Sequence, residues 1–157
     1  MNLKKYFKKL LLCIALVMCT LSIQGHTVDS LEKPLNKELV HHSDYWAPVI
    51  TAIAKVESSC NTKAVSKSGR YVGYLQIGPS LVTDCNSYLK SKGSQKRYTL
   101  NDRYDKEKSI EMFVIYMMKY NKSKDVEKAI RIWNGGAGYS IKGTQAYYKR
   151  VMQHLKS

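Results

Sequence analysis

Trp46-Ala47-Pro48-Val49-Ile50-Thr51-Ala52-Ile53-Ala54-Lys55-Val56-Glu57 reads as an amphipathic helix that ends in an acid. Ile50, Ile53 or Ala54, and Glu57 follow the i, i+3/4, i+7 spacing, so the glutamate closes the apolar stripe. A carboxylate turned toward a core loses hydration, so its pKa rises and its protonated form persists toward neutral pH. Such a group suits general-acid work on a glycosidic bond. The plainer alternative, a helix-end glutamate in solvent, does not fit its place on the stripe. Ser43 or Asp44 can cap this helix, with Pro48 in its first turn.

Upstream, residues 26–43 read as a lead-in segment with Pro34 and mixed charge, in which Leu35 to His42 can form a short helix. His41 and His42 are neighbours and face different ways on a helix, so solvent exposure explains them better than metal binding. Residues 1–25 have the form of a secretory signal peptide: Lys4, Lys5, Lys8 and Lys9, then an apolar run from Leu10 to Met18, then Ser22-Ile23-Gln24-Gly25. Lipidation at Cys19 is the weaker reading, because Met18 stands where a small residue is expected. The chain is therefore expected to be exported to the periplasm or cell envelope, without a stable membrane span.

The 157-residue chain carries a formal net charge of +14. Without the four leader lysines, 22 basic side chains remain against 12 acidic ones, a net +10 spread from Lys33 to Lys156. In an exported protein such a surface suits cell-wall polymers or lipid headgroups before nucleic acid, and a solubilising role explains most of these lysines. Cys60 and Cys85 are the two cysteines past the leader. In an oxidising compartment they read as one disulfide, closing a loop of about 25 residues and contributing about 3 kcal/mol.

After Glu57 the chain turns loop-like. Tyr71-Val72-Gly73-Tyr74-Leu75-Gln76-Ile77 has strand character and stops at Gly78-Pro79. Pro79 fits the first turn of a helix whose apolar face holds Leu81, Val82, Cys85, Tyr88 and Leu89. Asp105 can cap a helix that buries Ile110, Phe113, Val114 and Met117, and a further helix runs from about Asp125 to Trp133. Asn134-Gly135-Gly136 stops it, and Thr144 to Leu155 forms the last helix. The expected class is α+β, mainly helical with a small β-hairpin.

Three clusters, Val56-Glu57-Ser58-Ser59, Gly73-Tyr74-Leu75-Gln76-Ile77 and Trp133-Asn134-Gly135-Gly136, occur in an order and spacing that resembles the soluble lytic transglycosylases, lysozyme-like enzymes that cut peptidoglycan. Ala64-Val65-Ser66, Gly69, Asp105 and the final Thr144, Tyr147, Arg150 and Val151 match further parts of the family pattern. The resemblance spans roughly residues 44–155 and implies a lysozyme-like transglycosylase domain over 44–157. By this resemblance Glu57 is the single catalytic acid/base, and Ser58, Ser66, Gly73, Tyr74, Leu75, Gln76, Trp133, Asn134 and Tyr147 contact the substrate. Trp133 stands where the family has a tyrosine whose hydroxyl approaches the glutamate, and an indole can only donate there. Tyr74-Leu75 replaces Leu-Met on the expected groove floor.

The resemblance implies cleavage of the bond between N-acetylmuramic acid and N-acetylglucosamine with a 1,6-anhydro product, and no metal or cofactor. No Asp or Glu lies between Glu57 and Asp84, so a base for water is missing from the expected hairpin. A true lysozyme and a non-catalytic wall-binding module are the alternatives. Glycan strands are the expected partner of a monomer. Analogy of size adds secretion, conjugation or phage machinery.

Overall fold

One long helix carries the segment that ends at Glu57. The computed structural model describes residues 32–156, and helix α1 occupies 32–58 of them. The signal-peptide and Cys19 readings lie outside the described residues. Leu39, Trp46, Val49, Ile50, Ile53 and Ala54 are all buried and recur at helical spacing on its inner side. The expected break near Ser43 is not there. Ser43 Oγ donates to the Val40 carbonyl (2.7 Å) instead of capping, and the helix runs through Pro48. Pro48 lacks only the amide that would reach the carbonyl four residues back, and the packing of Trp46, Val49 and Ile50 outweighs that loss.

α1 stops where Ser59 and Cys60 take left-handed backbone angles (φ 53° and 65°) and the Cys60 amide returns to the Ala54 carbonyl (3.1 Å). The stretch that follows is a set of turns, and the expected hairpin is corrected. Only single-residue bridges, Val65 to Val72 and Val72 to Ile77, are present, and no strand forms among the described residues. Gly69, Gly73 and Gln76 all have positive φ (70°, 80° and 50°), so the chain reverses too often to extend. The buried Arg103 guanidinium holds these turns in place, donating to the carbonyls of Arg70 and Ile77, both at 3.1 Å.

The remaining elements are α2 (Pro79–Ser91), a 3-10 turn (Asn101–Tyr104), α3 (Lys106–Tyr120), α4 (Val126–Gly135) and α5 (Ile141–Lys156). Pro79 opens α2 as expected. The side chains of Asp105 and Asp125 cap α3 and α4 by accepting from the Lys108 and Lys128 amides (3.0 and 2.7 Å). α3 is the central helix, burying Met112, Phe113, Val114, Ile115 and Met117. Phe113 stacks between Trp46 of α1 and Trp133 of α4, with ring centres 6.0 and 5.0 Å away.

α5 begins at Ile141, earlier than Thr144, because buried Arg131 of α4 gathers its first turn. The Arg131 guanidinium donates to the Ile141 carbonyl (3.1 Å), Thr144 Oγ1 (3.0 Å) and Gln145 Oε1 (2.8 Å) and pairs with Glu127 (2.8 Å). These bonds fix the rotation of α5 and hence the direction of Tyr147, one turn later.

The expected disulfide does not form. Both cysteines are free: Cys60 is exposed beyond α1, while Cys85 is buried on α2. The inner face of α2 turns Cys85 toward α3, where its thiol donates to the Met112 carbonyl (3.3 Å) and burial pushes its pKa up. Among the described residues no helix is long and apolar enough to cross a membrane.

Candidate active site

A cleft of about 620 Å³ lies between the end of α1, the turns at 61–78, α2, α3 and the end of α4. Glu57, Ser66, Gln76, Trp133 and Asn134 line it together. These five residues span nearly eighty positions of sequence and were all expected at a site.

Glu57 is half-buried, the expected consequence of its place on the apolar stripe. Burial raises its carboxyl pKa; a hydrogen bond from Tyr147 and the nearby Arg150 charge oppose that rise without cancelling it. Tyr147 Oη donates to Glu57 Oε1 at 2.7 Å. Burial and then the Glu57 charge push the Tyr147 phenol up, so it remains a donor. The hydroxyl beside the glutamate thus comes from α5. Trp133 does not supply that donor: it packs against Phe113 (5.0 Å) and Tyr116 (6.2 Å) as part of the cleft wall.

Gln76 is held by its own amide, which donates to the carbonyls of Ala64 (3.2 Å) and Gly73 (3.0 Å). Ser66 Oγ accepts from the Tyr71 amide (3.1 Å) and meets Ser68 Oγ (3.3 Å), which places it in the turn at the cleft edge. Gly135 lines the end of α4, where a Cβ would lie 2.8 Å from Tyr139 and 2.9 Å from Thr144 side-chain atoms.

Five expected contact residues are not among those that line the cleft; one of them, Tyr147, is 5% exposed and bonds Glu57 from behind. Ser58 spends its hydroxyl on the carbonyls of Ala54 (3.3 Å) and Tyr74 (2.7 Å), tying α1 to the turns. Gly73 packs its bare Cα against the Arg103 backbone. Tyr74 and Leu75 are 6% and 0% exposed and belong to the core rather than the groove floor. The Lys106 ammonium lies 5.4 Å from the Tyr74 ring centre. The turn geometry explains the change: without an extended strand, successive side chains do not alternate between two faces.

The cleft also recruits residues that sequence reasoning passed over. Ser80 and Asp84 come from the outer side of α2, Leu81 from the edge of its apolar face, and Tyr116 from α3. The i, i+1, i+4 spacing of the α2 residues marks a second helix face, but nothing local shows what that face meets.

A model of the transglycosylase SLT domain matches residues 35–155. None of the curated proteins compared with the chain gives a significant match. The matched stretch takes in the whole cleft and includes both Glu57 and its Tyr147 partner. The chain belongs to the transglycosylase SLT family, whose lysozyme-like domains act on peptidoglycan as lytic transglycosylases.

Proposed function

We propose that Glu57 works alone as acid and then base on the bond between N-acetylmuramic acid and N-acetylglucosamine, leaving a 1,6-anhydro muramic end. The observation that carries this reading is a half-buried carboxyl with a raised pKa, hydrogen-bonded by Tyr147 and set in the cleft. Because Tyr147 occupies Oε1, Oε2 is left to carry the transferable proton. That proton passes to the glycosidic oxygen as the bond to C1 breaks. The substrate's own N-acetyl oxygen supports the developing cation. The carboxylate, steadied by Tyr147, then takes the proton of the muramic C6 hydroxyl, and the C6 oxygen closes onto C1. The leader read over residues 1–25 supports action outside the cytoplasm, where the polymer lies.

A lysozyme would add water, which needs a base. Asp84 is the other cleft carboxylate, but its oxygens already accept from Lys119 Nζ (2.6 Å) and Tyr120 Oη (3.0 Å). This engagement favours the transglycosylase reading. Mass spectrometry of muropeptides released from purified sacculi tests it. Anhydro products, one water lighter than hydrolysis products, are expected; reducing ends alone would establish a lysozyme instead.

Tyr147→Phe removes one hydrogen bond from the active carboxyl. Since that bond lowers the Glu57 pKa, its loss moves the pKa higher still. The limb of the kcat/KM profile on which activity falls with rising pH should shift upward. Loss of the donor to the carboxylate should lower kcat by about tenfold. A pH–rate profile that keeps its position would mean that the hydroxyl does not act on Glu57.

A further inference from the structure

Asp84 and Lys119 form an ion pair of 2.6 Å across α2 and α3, and Asp84 opens onto the cleft. The pair is not sealed: the Asp84 and Lys119 side chains remain 34% and 28% exposed. Tyr120 Oη donates to the second Asp84 oxygen at 3.0 Å. Tyr116, which also lines the cleft, holds the Tyr120 ring edge-on at 4.8 Å. Each Asp84 oxygen thus accepts one hydrogen bond and keeps a further lone pair, and the Lys119 ammonium has donors beyond the one Asp84 takes.

The glycan strand of peptidoglycan offers nothing ionic to this pair, because the muramic lactyl carboxyl is consumed in its amide bond to the peptide stem. Covering a half-open ion pair with neutral sugar would strip its water and return only weak contacts. The substrate's charges sit on the stem, as free carboxylates and a free side-chain or terminal amine. We propose that Asp84 and Lys119 form a subsite for the zwitterionic peptide stem, with Asp84 accepting from its ammonium and Lys119 donating to its carboxylate. This subsite makes stem-bearing strands better substrates than bare glycan, and it rests on the cleft binding the glycan as described above.

The test compares kcat/KM of the full chain on stem-bearing strands with that on strands stripped by an amidase and then capped as methylamides at the freed lactyl carboxyls. The wild-type ratio should favour stem-bearing strands, and Asp84→Asn or Lys119→Met should each lower it by about tenfold, the effect of losing one charge-assisted hydrogen bond. A merely structural strap between α2 and α3 would instead lower both activities together along with the melting temperature, and that result overturns the proposal. A second comparison needs no variant to fold. Acetylating the stem amines, which leaves the lactyl amide intact, should lower wild-type kcat/KM by a similar factor. In Asp84→Asn, if folded, acetylation should change little, since the partner of the ammonium is already gone. Wild-type cleavage that is indifferent to stem and to acetylation overturns the subsite alone. Cleavage of neither strand overturns the catalytic reading and the subsite with it.

Discussion

Glu57→Gln should abolish cleavage of sacculi while leaving binding to them intact. The glutamine keeps the size of the side chain and can still accept from Tyr147, but it has no proton to give and no basicity to take one back. Both halves of the reaction fail together, so the loss should reach about 10⁴-fold, the upper end for acid–base catalysis. The variant should not fail by unfolding. Burial raises the Glu57 pKa, so between its ordinary and raised values the folded chain holds a proton that the unfolded chain has released. Stability contributed by this group therefore falls as pH rises through that window. Glutamine has no such loss, and at neutral pH its melting temperature should equal or exceed that of the wild type. Released muropeptides, co-sedimentation with sacculi and a thermal melt together check the result; undiminished cleavage by the variant would remove Glu57 from the mechanism.

Gly73→Ala should produce the largest loss of stability of any single methyl addition in the turns. A Cβ at this position would fall 1.8 Å from the Arg103 carbonyl oxygen and 2.8 Å from its carbon, both backbone atoms that cannot swing aside. The φ of 80° adds the penalty of a left-handed alanine. Overpacking and backbone strain together are expected to cost about 3–5 kcal/mol. For a domain of this size, that lowers Tm by roughly 10–20 °C. Gly69→Ala is the internal comparison: its φ is also positive at 70°, but nothing lies within 4 Å of the added carbon. It should cost only about 1 kcal/mol, the backbone share alone. Similar melts for the two variants would show that the turns are not seated on Arg103. Because Gln76 donates to the Gly73 carbonyl (3.0 Å), the damage should also reach the cleft.

The features read correctly from the chain are those whose causes are local. The period of α1 turned Glu57 inward. Pro79 opened α2, Asp105 capped α3, α4 began just after Asp125, and the glycines after Asn134 ended it. Each depends on a few residues of backbone chemistry acting within one or two turns. The motif order carried more, bringing Ser66, Gln76, Trp133 and Asn134 to the same cleft as Glu57.

The misreadings share a different cause. Pro48 looked like a first-turn residue because its local preference says so, but long-range burial of Trp46, Val49 and Ile50 carries the helix through it. Residues 71–77 have strand character, yet the Arg103 guanidinium pins them as turns and draws Tyr74 and Leu75 into the core. Cys60 and Cys85 looked like a pair by count, while the packing of α2 on α3 turned Cys85 away.

What the chain alone settled was the inward turn and protonation bias of the Glu57 carboxyl, since burial at the end of an apolar stripe follows from helical period. Which groups meet that carboxyl was settled by folding. Tyr147 lies ninety positions from Glu57 and reaches it because Arg131 fixes the rotation of α5 on α4. Asp84 faces the cleft because the other side of α2 is buried against α3. Local preference sets where an element begins and which face is apolar; the partner of its remaining face depends on packing between elements distant in sequence.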